Sequence, residues 1–229
     1  MILSSMNETN LVKLQTKTLI DGMQQLGANV NNARVIMNYL QLLQKWNQAY
    51  NLTAIDQMDQ MITHHALDAL AVVSYIEGEQ IIDVGTGAGF PGFLIAIMCP
   101  QKHVVLLDAV GKKARFMRQV KRELKLQNVE IVHARVEKYS PDKKFDVVIS
   151  RAFSDLSNFL SLTSHLGHEN CQYLAMKGPK IEQLDDQLAF KQTECWNITV
   201  PFLDVHRKLY QFKPVIEGSF YEDKNETRI

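Results

Sequence analysis

The sequence predicts an α/β fold: an open, doubly wound sheet of seven strands, the last one antiparallel, with a helical extension at the N-terminus. Before residue 76, apolar residues recur with helical spacing and show no convincing strand pattern. From Gln80 onward, short apolar runs alternate with amphipathic segments, as in βαβ units around a parallel sheet. A glycine-rich turn follows the first of these runs. We therefore expect residues 1–76 to pack as an extension on a domain that comprises residues 77–229.

The extension is predicted to be helical from Thr9 to about Tyr75. Its most regular part carries an apolar stripe with the spacing of one helix face, formed by Val35, Ile36, Tyr39, Leu40, Leu43 and Trp46. Such a stripe packs against another apolar surface. We expect the extension to lie on the sheet domain and to form one wall of its cleft.

Seven short apolar runs are predicted to form the sheet: Gln80–Val84, His103–Leu107, Val129–His133, Phe145–Ser150, Cys171–Met176, Trp196–Val200 and Arg207–Phe212. Helices are predicted between them at Phe93–Met98, Lys112–Leu124 and Asp155–His165, and near Ile181–Phe190. The last two strands are close together in the sequence, which is typical of an antiparallel hairpin. In such sheets ligands bind beyond the carboxyl ends of the strands, where the strand order reverses.

The composition argues against several classes of protein. The cysteines Cys99, Cys171 and Cys195 are widely spaced and are not paired with histidine at metal-site spacing, so we expect neither a disulfide framework nor a metal. No run approaches the roughly 18 apolar residues of a membrane span, and the first residues lack the basic start of a secretory signal, so a cytoplasmic protein is expected. Because the formal net charge is zero, a polyanion would have to be held by a local patch.

The most informative stretch is IIDVGTGAGFPG, residues 81–92. Gly85, Gly87 and Gly89 form a G-x-G-x-G pattern preceded by Asp83, whereas a dinucleotide fingerprint requires glycine where Phe90 stands. A dinucleotide lays its pyrophosphate against a helix N-terminus. S-adenosylmethionine has no phosphate and lays its amino-acid end and ribose along such a loop, where Asp83 can face its ammonium group. The spacing favours S-adenosylmethionine, with a simple turn as the alternative.

Residues that follow the next two strands strengthen this prediction. Asp108 ends the second strand, where a carboxylate can accept hydrogen bonds from both ribose hydroxyls; the alternative is an N-cap for the following helix. Val136 and Glu137 follow the third strand, where they can reach the adenine edge. A solvated turn is the competing interpretation of these two residues.

Seven blocks of sequence, in order, resemble the bacterial small-subunit rRNA guanine-N7 methyltransferase G family, also called glucose-inhibited division protein B. They are LLQKWNQAYNLTAI (42–55), HHALDAL (64–70), DVGTGAGFPG (83–92), LLDAVGKKARFMRQV (106–120), ARVE (134–137), FDVVISRAF (145–153) and AMKG (175–178). The resemblance covers most of the chain. It implies a Rossmann-like class I methyltransferase fold, S-adenosylmethionine as the cofactor and methylation of N7 of guanine 527 in 16S rRNA. Ala69 and Ala109 stand where the family more often has serine, which puts at most a peripheral hydrogen bond in doubt.

Carried over by motif position, the resemblance implies cofactor contacts at Gly85, Phe90, Val136, Glu137 and Arg151. It also implies candidates for the site rim or for RNA contact: Asn51, His65, Lys112, Arg135 and Lys177. From the residues alone, Asn51 could equally close a turn and His65 could equally cap a helix or pack in the core.

Methylation at guanine N7 needs no general base, because N7 carries a lone pair and no proton and the sulfonium methyl is already activated. Exocyclic-amine methyltransferases usually carry an Asn/Asp-Pro-Pro-aromatic turn after the fourth strand, and here that position has Ser150-Arg151-Ala152-Phe153. Arg151 could hold the cofactor carboxylate, contact guanine O6 or form a structural ion pair; the resemblance favours the carboxylate. Phe153 could stack on an extruded base or pack in the core.

Lys177, at the tip of the fifth strand, could contact RNA phosphate or guanine, or be solvated. Together with Arg151 it is our candidate for the residues closest to the chemistry.

The helix GKKARFMRQVKRELK carries seven cations and one acid between Gly111 and Lys125. Its apolar stripe leaves Lys112, Arg115, Arg118, Lys121 and Arg122 on the outer face. Such charge runs are usually solvated faces. Lys112 and Lys113, however, begin the helix beside the cleft, where the helix dipole disfavours cations unless an anion offsets them. This favours contact with the RNA backbone, which would position the substrate without reading its sequence.

We therefore expect a cytoplasmic, monomeric, S-adenosylmethionine-dependent rRNA methyltransferase whose partner is 16S rRNA or the small ribosomal subunit. One alternative is a methyltransferase of the same fold that acts on another RNA, a protein or a small molecule. Another is a non-catalytic module that binds S-adenosylmethionine or RNA.

Overall fold

The computed structural model describes residues 8–151, 153, 155–179, 184–185 and 187–215. Within them a single sheet of seven strands has the order β3-β2-β1-β4-β5-β7-β6. Its strands are β1 (Gln80–Val84), β2 (His103–Asp108), β3 (Val129–His133), β4 (Phe145–Ser150), β5 (Gly167–Lys177), β6 (Phe190–Ile198) and β7 (Arg207–Pro214). β7 runs antiparallel to both of its neighbours, β5 and β6, whereas the pairs among β1 to β5 are parallel, which confirms the predicted doubly wound sheet with a reversed last strand.

The helices of the described chain fall into two groups. The first group precedes the sheet and comprises α1 (Glu8–Gln25), α2 (Ala33–Tyr50), α3 (Met58–Gln60), a π-helix (Met61–Leu67) and α4 (Asp68–Leu70). The second group connects strands and comprises α5 (Gly92–Met98), α6 (Gly111–Glu123) and α7 (Leu156–Thr163). Among the described residues no helix is both long enough and apolar enough to cross a bilayer.

Alternating strand residues face two apolar layers, as the period of a strand requires. Ile81 belongs to a core that also contains Leu19 of α1, Leu40 of α2 and Phe116 of α6. The next residue, Ile82, faces the opposite layer, where Phe159 of α7 packs. The predicted apolar stripe of α2 is buried in the first layer, so the N-terminal helices share their core with the sheet.

The first three predicted helices of the sheet domain form within two residues of their predicted ends, and Asp155 is the N-cap of α7, where its carboxylate accepts a hydrogen bond from the Asn158 amide at 2.7 Å. The helix predicted near Ile181–Phe190 is wrong where the structure describes it. Residues 184–185 and 187–189 form a turn, in which the Asp185 carboxylate accepts a hydrogen bond from the Gln187 amide. Residues 180–183 and 186 lie outside the described part of the chain.

Two strands are longer than predicted. β6 begins at Phe190 rather than Trp196, and β5 begins at Gly167 rather than Cys171. The added residues are largely polar and exposed, and β6 is an edge strand whose first half pairs only with β7. Because these residues bury neither face, their hydrophobic pattern gives no strand signal. The N-terminal helices are likewise interrupted, at residues 26–32 and 51–57.

Candidate active site

The glycine turn lies between β1 and α5, at the carboxyl ends of the central strands, where the predicted sheet places a ligand site. Gly85, Gly87 and Gly89 all have positive φ, at 68°, 67° and 105°. A Cβ at Gly89 would lie 2.1 Å from Phe93 Cδ2, so only glycine fits there. Above Gly87 the space is open, since its nearest neighbour would be Lys113 Nζ at 3.9 Å. The turn therefore presents bare backbone to a ligand.

Asp83 lies beneath this turn rather than on its surface. Its side chain is fully buried, and Oδ2 accepts hydrogen bonds from Thr86 Oγ1 at 2.5 Å and from the Gly92 amide at 2.8 Å. Burial raises the pKa of Asp83 from 3.8 to about 6, against the effect of those two hydrogen bonds and of the Arg151 charge. Asp83 thus ties the two ends of the turn together, which fixes the backbone that a ligand would meet.

Asp108 ends β2 beside the turn. Its Oδ2 accepts a hydrogen bond from the Gly87 amide at 2.9 Å and its Oδ1 accepts one from the Val110 amide at 2.8 Å, while Lys113 Nζ lies 3.8 Å away. The N-cap position of α6 belongs to Val110, so Asp108 is not the N-cap. Each carboxylate oxygen retains a second lone pair, which suits the acceptance of ribose hydroxyls.

The turn after β3 flanks Asp108, because Asp108 pairs in register with His133. Val136 begins a short 3₁₀ helix, Val136–Lys138, and is buried in the same apolar layer as Ile82 and Phe159. Glu137 and Arg135 are exposed on either side of it. An apolar floor beside an exposed carboxylate suits a purine ring with an exocyclic amine.

Arg151 follows β4 and leans back over the glycine turn. Its Cζ lies 5.3 Å from the centroid of the Phe90 ring, and Nη1 donates to Asp68 Oδ2 and to the His64 carbonyl, both at 3.3 Å. The ion-pair interpretation of Arg151 is therefore realised, with Asp68 as the partner. Phe90 itself is 1% exposed, and its ring stacks on His65 and packs at a tilt against Tyr39. Only its main chain is placed to meet a cofactor.

A cavity of about 280 Å³ opens next to Arg151, and its polar lining is His64, His65, Asp68, Arg151, Lys177 and Arg207. Lys177 Nζ donates to the Phe153 carbonyl at 2.9 Å, at the carboxyl end of β5. The Phe153 ring packs on Phe159 at 5.5 Å, so the core interpretation of Phe153 is the one the structure supports. The structure thus brings Arg151, Lys177 and His65 together in the lining of one cavity.

His65 is a packed, neutral residue of that cavity wall. Its Nε2 lies 2.9 Å from Thr53 Oγ1, and its ring is buried. Burial lowers the pKa of His65 from 6.5 to about 4, and the positive charge of Arg151 acts in the same direction. At neutral pH His65 therefore adds no charge with which to attract RNA.

Lys112 has hydrogen-bond partners within the chain that the sequence does not predict. Lys112 Nζ donates to the carbonyls of Tyr50 at 2.8 Å and Asn51 at 3.0 Å, at the C-terminus of α2. The C-terminus of α2 is the negative end of that helix dipole, so it offsets the charge of Lys112. The sequence alone suggests RNA phosphate for this role. Asn51 has φ of 47° and ends α2 in the left-handed conformation, as its turn-closing interpretation predicts, and its side chain remains exposed.

Two polar residues of the site, Asp68 and Arg207, are not predicted from the sequence. Arg207 Nε donates to Asp68 Oδ1 at 2.9 Å, so one buried carboxylate joins two arginines. The signal for Asp68 was its position one helical turn after His64 and His65. Nothing in the local sequence marks Arg207, which lies 139 residues farther along the chain. Among the described residues no group of three potential ligands could hold a metal ion.

The bare turn after β1, the acid at the end of β2 and the sheet with one reversed strand define the class of the protein: an S-adenosylmethionine-dependent methyltransferase with a Rossmann-like sheet. The fold is similar to the crystal structure of an S-adenosylmethionine-dependent methyltransferase from Aquifex aeolicus, with a TM-score of 0.55, 16% identity and coverage of 71% of this chain and 97% of that one. At that identity the likeness concerns the fold alone.

Sequence comparison narrows the class. The profile of the GidB family, described as rRNA small subunit methyltransferase G, matches residues 32–210. The ribosomal RNA small subunit methyltransferase G of Pseudomonas syringae pv. tomato is 50% identical over 162 residues, which span 70% of this chain and 77% of that protein. The protein of the same name from Stutzerimonas stutzeri is 46% identical over 200 residues, or 83% and 92% of the two chains. The chain belongs to the rRNA small subunit methyltransferase G family.

Proposed function

We propose that this protein transfers the methyl group of S-adenosylmethionine to N7 of a guanine in 16S rRNA, at the family's position 527, and releases S-adenosylhomocysteine. Family membership supports the rRNA substrate, since the relatives carry that activity in their names. The observation that carries the proposal is the bare glycine turn with Asp108 hydrogen-bonded to its Gly87 amide. We also propose that the protein acts as a monomer in the cytoplasm, where small ribosomal subunits are assembled.

The residues around the turn fit this cofactor. Its ribose hydroxyls would donate hydrogen bonds to the Asp108 carboxylate. Its adenine ring would lie between the buried Val136 side chain and Glu137. The Gly85 and Gly87 main chain, held from below by Asp83, would lie along the methionine part. Arg151 would then pair with the cofactor carboxylate, for which its position over Phe90 is suited. The bound cofactor supplies an activated sulfonium methyl.

The protein's contribution to the chemistry would be alignment and exclusion of water. Guanine N7 requires no deprotonation, and the buried His65 is neutral at physiological pH and poorly placed to act as a base. A cation against N7 would oppose the positive charge that develops there. This supports a role for Arg151 on the cofactor side and a role for Lys177 on a phosphate or on guanine O6.

RNA would approach over α6. Arg115, Arg118 and Arg122 are exposed along this helix, and Arg135 is exposed beside the adenine turn. Because Lys112 is engaged by α2, the basic face proper begins at Arg115. Asn51, exposed at the end of α2, would lie at the rim of the same surface.

The decisive experiment is chemical cleavage of small-subunit rRNA at N7-methylguanine in a strain that lacks the gene. Restoration with the wild-type gene should return the cleavage, and Gly87→Asp should not, because it fills the open space above the turn with a carboxylate. Gly27→Asp is the matched control: Gly27 has nearly the same φ, 66°, and equally open surroundings, but lies after α1. Cleavage that persists in the deletion strain would refute the proposed function.

A further inference from the structure

Asp68 is a buried carboxylate with two arginine partners. It is 3% exposed, and its two oxygens are shared between Arg151 Nη1 and Arg207 Nε. The arginines come from opposite parts of the fold, one after β4 and the other at the start of β7. This bridge restricts the orientation of both guanidinium groups, because each donates a hydrogen bond to the same buried carboxylate.

Cations outnumber acids among the described residues that line the cavity beside this bridge. These residues include Arg151, Arg207 and Lys177, with Asp68 as the described acid, while the chain as a whole has no formal net charge. Among the described residues, the Arg207 guanidinium is hydrogen-bonded through Nε alone, so its terminal nitrogens are available to an anion. Lys177 lies close by, because it pairs in register with Lys208.

The two arginines have different roles in the proposed site. Arg151 lies over the ring of Phe90, next to the glycine turn, and the proposed function assigns it to the cofactor carboxylate. Arg207 lies on the other side of Asp68, at the strand edge with Lys177. One cofactor carboxylate would occupy Arg151, which leaves the terminal nitrogens of Arg207 for a second anion.

We propose that Arg207 binds a phosphodiester group of the RNA strand that carries the target guanine, and that Asp68 is the positioning residue that sets both arginines. This inference rests on the proposed function and assigns a substrate contact to it. Four planar N–H donors of the guanidinium remain for phosphate oxygens once Nε–H is held, and the fixed fork matches the spacing of those oxygens. The phosphate would anchor the backbone while the base enters the cavity.

The test compares Arg207→Gln, Arg207→Lys and the control Lys191→Gln, which removes a charge from the exposed edge strand β6. Binding of unmethylated small ribosomal subunits should weaken by about 10- to 100-fold in Arg207→Gln, as expected for one charge-assisted hydrogen bond. The slope of log affinity against log salt should fall by about 0.7 to 0.9, the value for one lost phosphate contact. Arg207→Lys should keep most of the salt slope but lose affinity, and Lys191→Gln should change neither quantity.

Asp68→Asn tests the positioning role. We expect it to weaken binding of both the ribosomal subunit and S-adenosylmethionine, whereas Arg207→Gln leaves the affinity for S-adenosylmethionine unchanged in calorimetry. Thermal melting of each variant shows that it is folded. Wild-type subunit affinity and salt slope in a folded Arg207→Gln would overturn the proposal, as would a loss confined to cofactor affinity, which would assign Arg207 to the cofactor carboxylate. Lack of methylation by the wild-type protein would instead refute the proposed function.

Discussion

Burial shifts the pKa values of two groups at the centre of the site in opposite directions. Asp83 takes up a proton near pH 6 in the folded protein, whereas His65 resists protonation until about pH 4. As pH falls from 6.5, the unfolded chain protonates His65 and the folded protein does not, so His65 costs stability. Over the same range the folded protein protonates Asp83 first, which adds stability. The two effects therefore oppose each other in the wild type.

Replacement of His65 by Gln should expose this balance. At pH 7 the variant loses the packing of the ring on Phe90 and is destabilised. At pH 4.5 the wild type also carries the His65 penalty, about 2 to 3 kcal/mol, while the variant does not. The difference in free energy of unfolding should therefore shrink or reverse between these pH values in urea titrations. A difference that is constant with pH would show that His65 is protonated normally in the folded protein.

At the scale of elements, the order of strands and helices follows from the sequence because each strand of the central sheet is apolar and each crossover is amphipathic. The first half of the edge strand β6 is not predicted for the opposite reason, since residues 191–194 are exposed and polar. Sequence also locates the glycine turn, whose positive φ angles require glycine. It does not locate the Asp68–Arg207 bridge, which exists only because β7 returns antiparallel beside β5.

The helix α6 shows how one basic segment divides between two roles. Lys112→Gln removes a cation from the C-terminus of α2, so we expect a loss of about 0.5 to 1 kcal/mol in chemical denaturation and little change in RNA affinity. Arg118 lies on the exposed face of α6. We expect Arg118→Gln to weaken RNA binding at low salt and to leave the free energy of unfolding unchanged. Equal effects of the two substitutions on RNA binding would mean that Lys112 leaves α2 when RNA binds.

At the scale of the whole molecule, the N-terminal helices and the sheet are joined by one apolar core. Tyr39 of α2 contacts Phe90 and Phe93, and its hydroxyl donates to the Ala88 carbonyl of the glycine turn at 2.6 Å. Gly22 of α1 likewise lies so close to Leu67 that a Cβ would come within 2.5 Å of it. The extension therefore supports the cofactor turn directly, and we do not expect the turn to hold its shape without it.

This shared core predicts a single cooperative unfolding transition, which the two tryptophans can test. Trp46 lies on α2 against Phe116, and Trp196 lies on β6 against Tyr75, so single-tryptophan variants report on the surroundings of α2 and of the edge strand β6. In urea, Trp46→Phe and Trp196→Phe should unfold with the same slope, and each midpoint should match the one obtained by circular dichroism on that variant. Saturating S-adenosylmethionine should raise both midpoints together, because a ligand of the folded state stabilises every part that unfolds with it. If Trp46 reported an earlier transition that the cofactor did not shift, the helices before residue 76 would be an independent domain rather than a wall of the site.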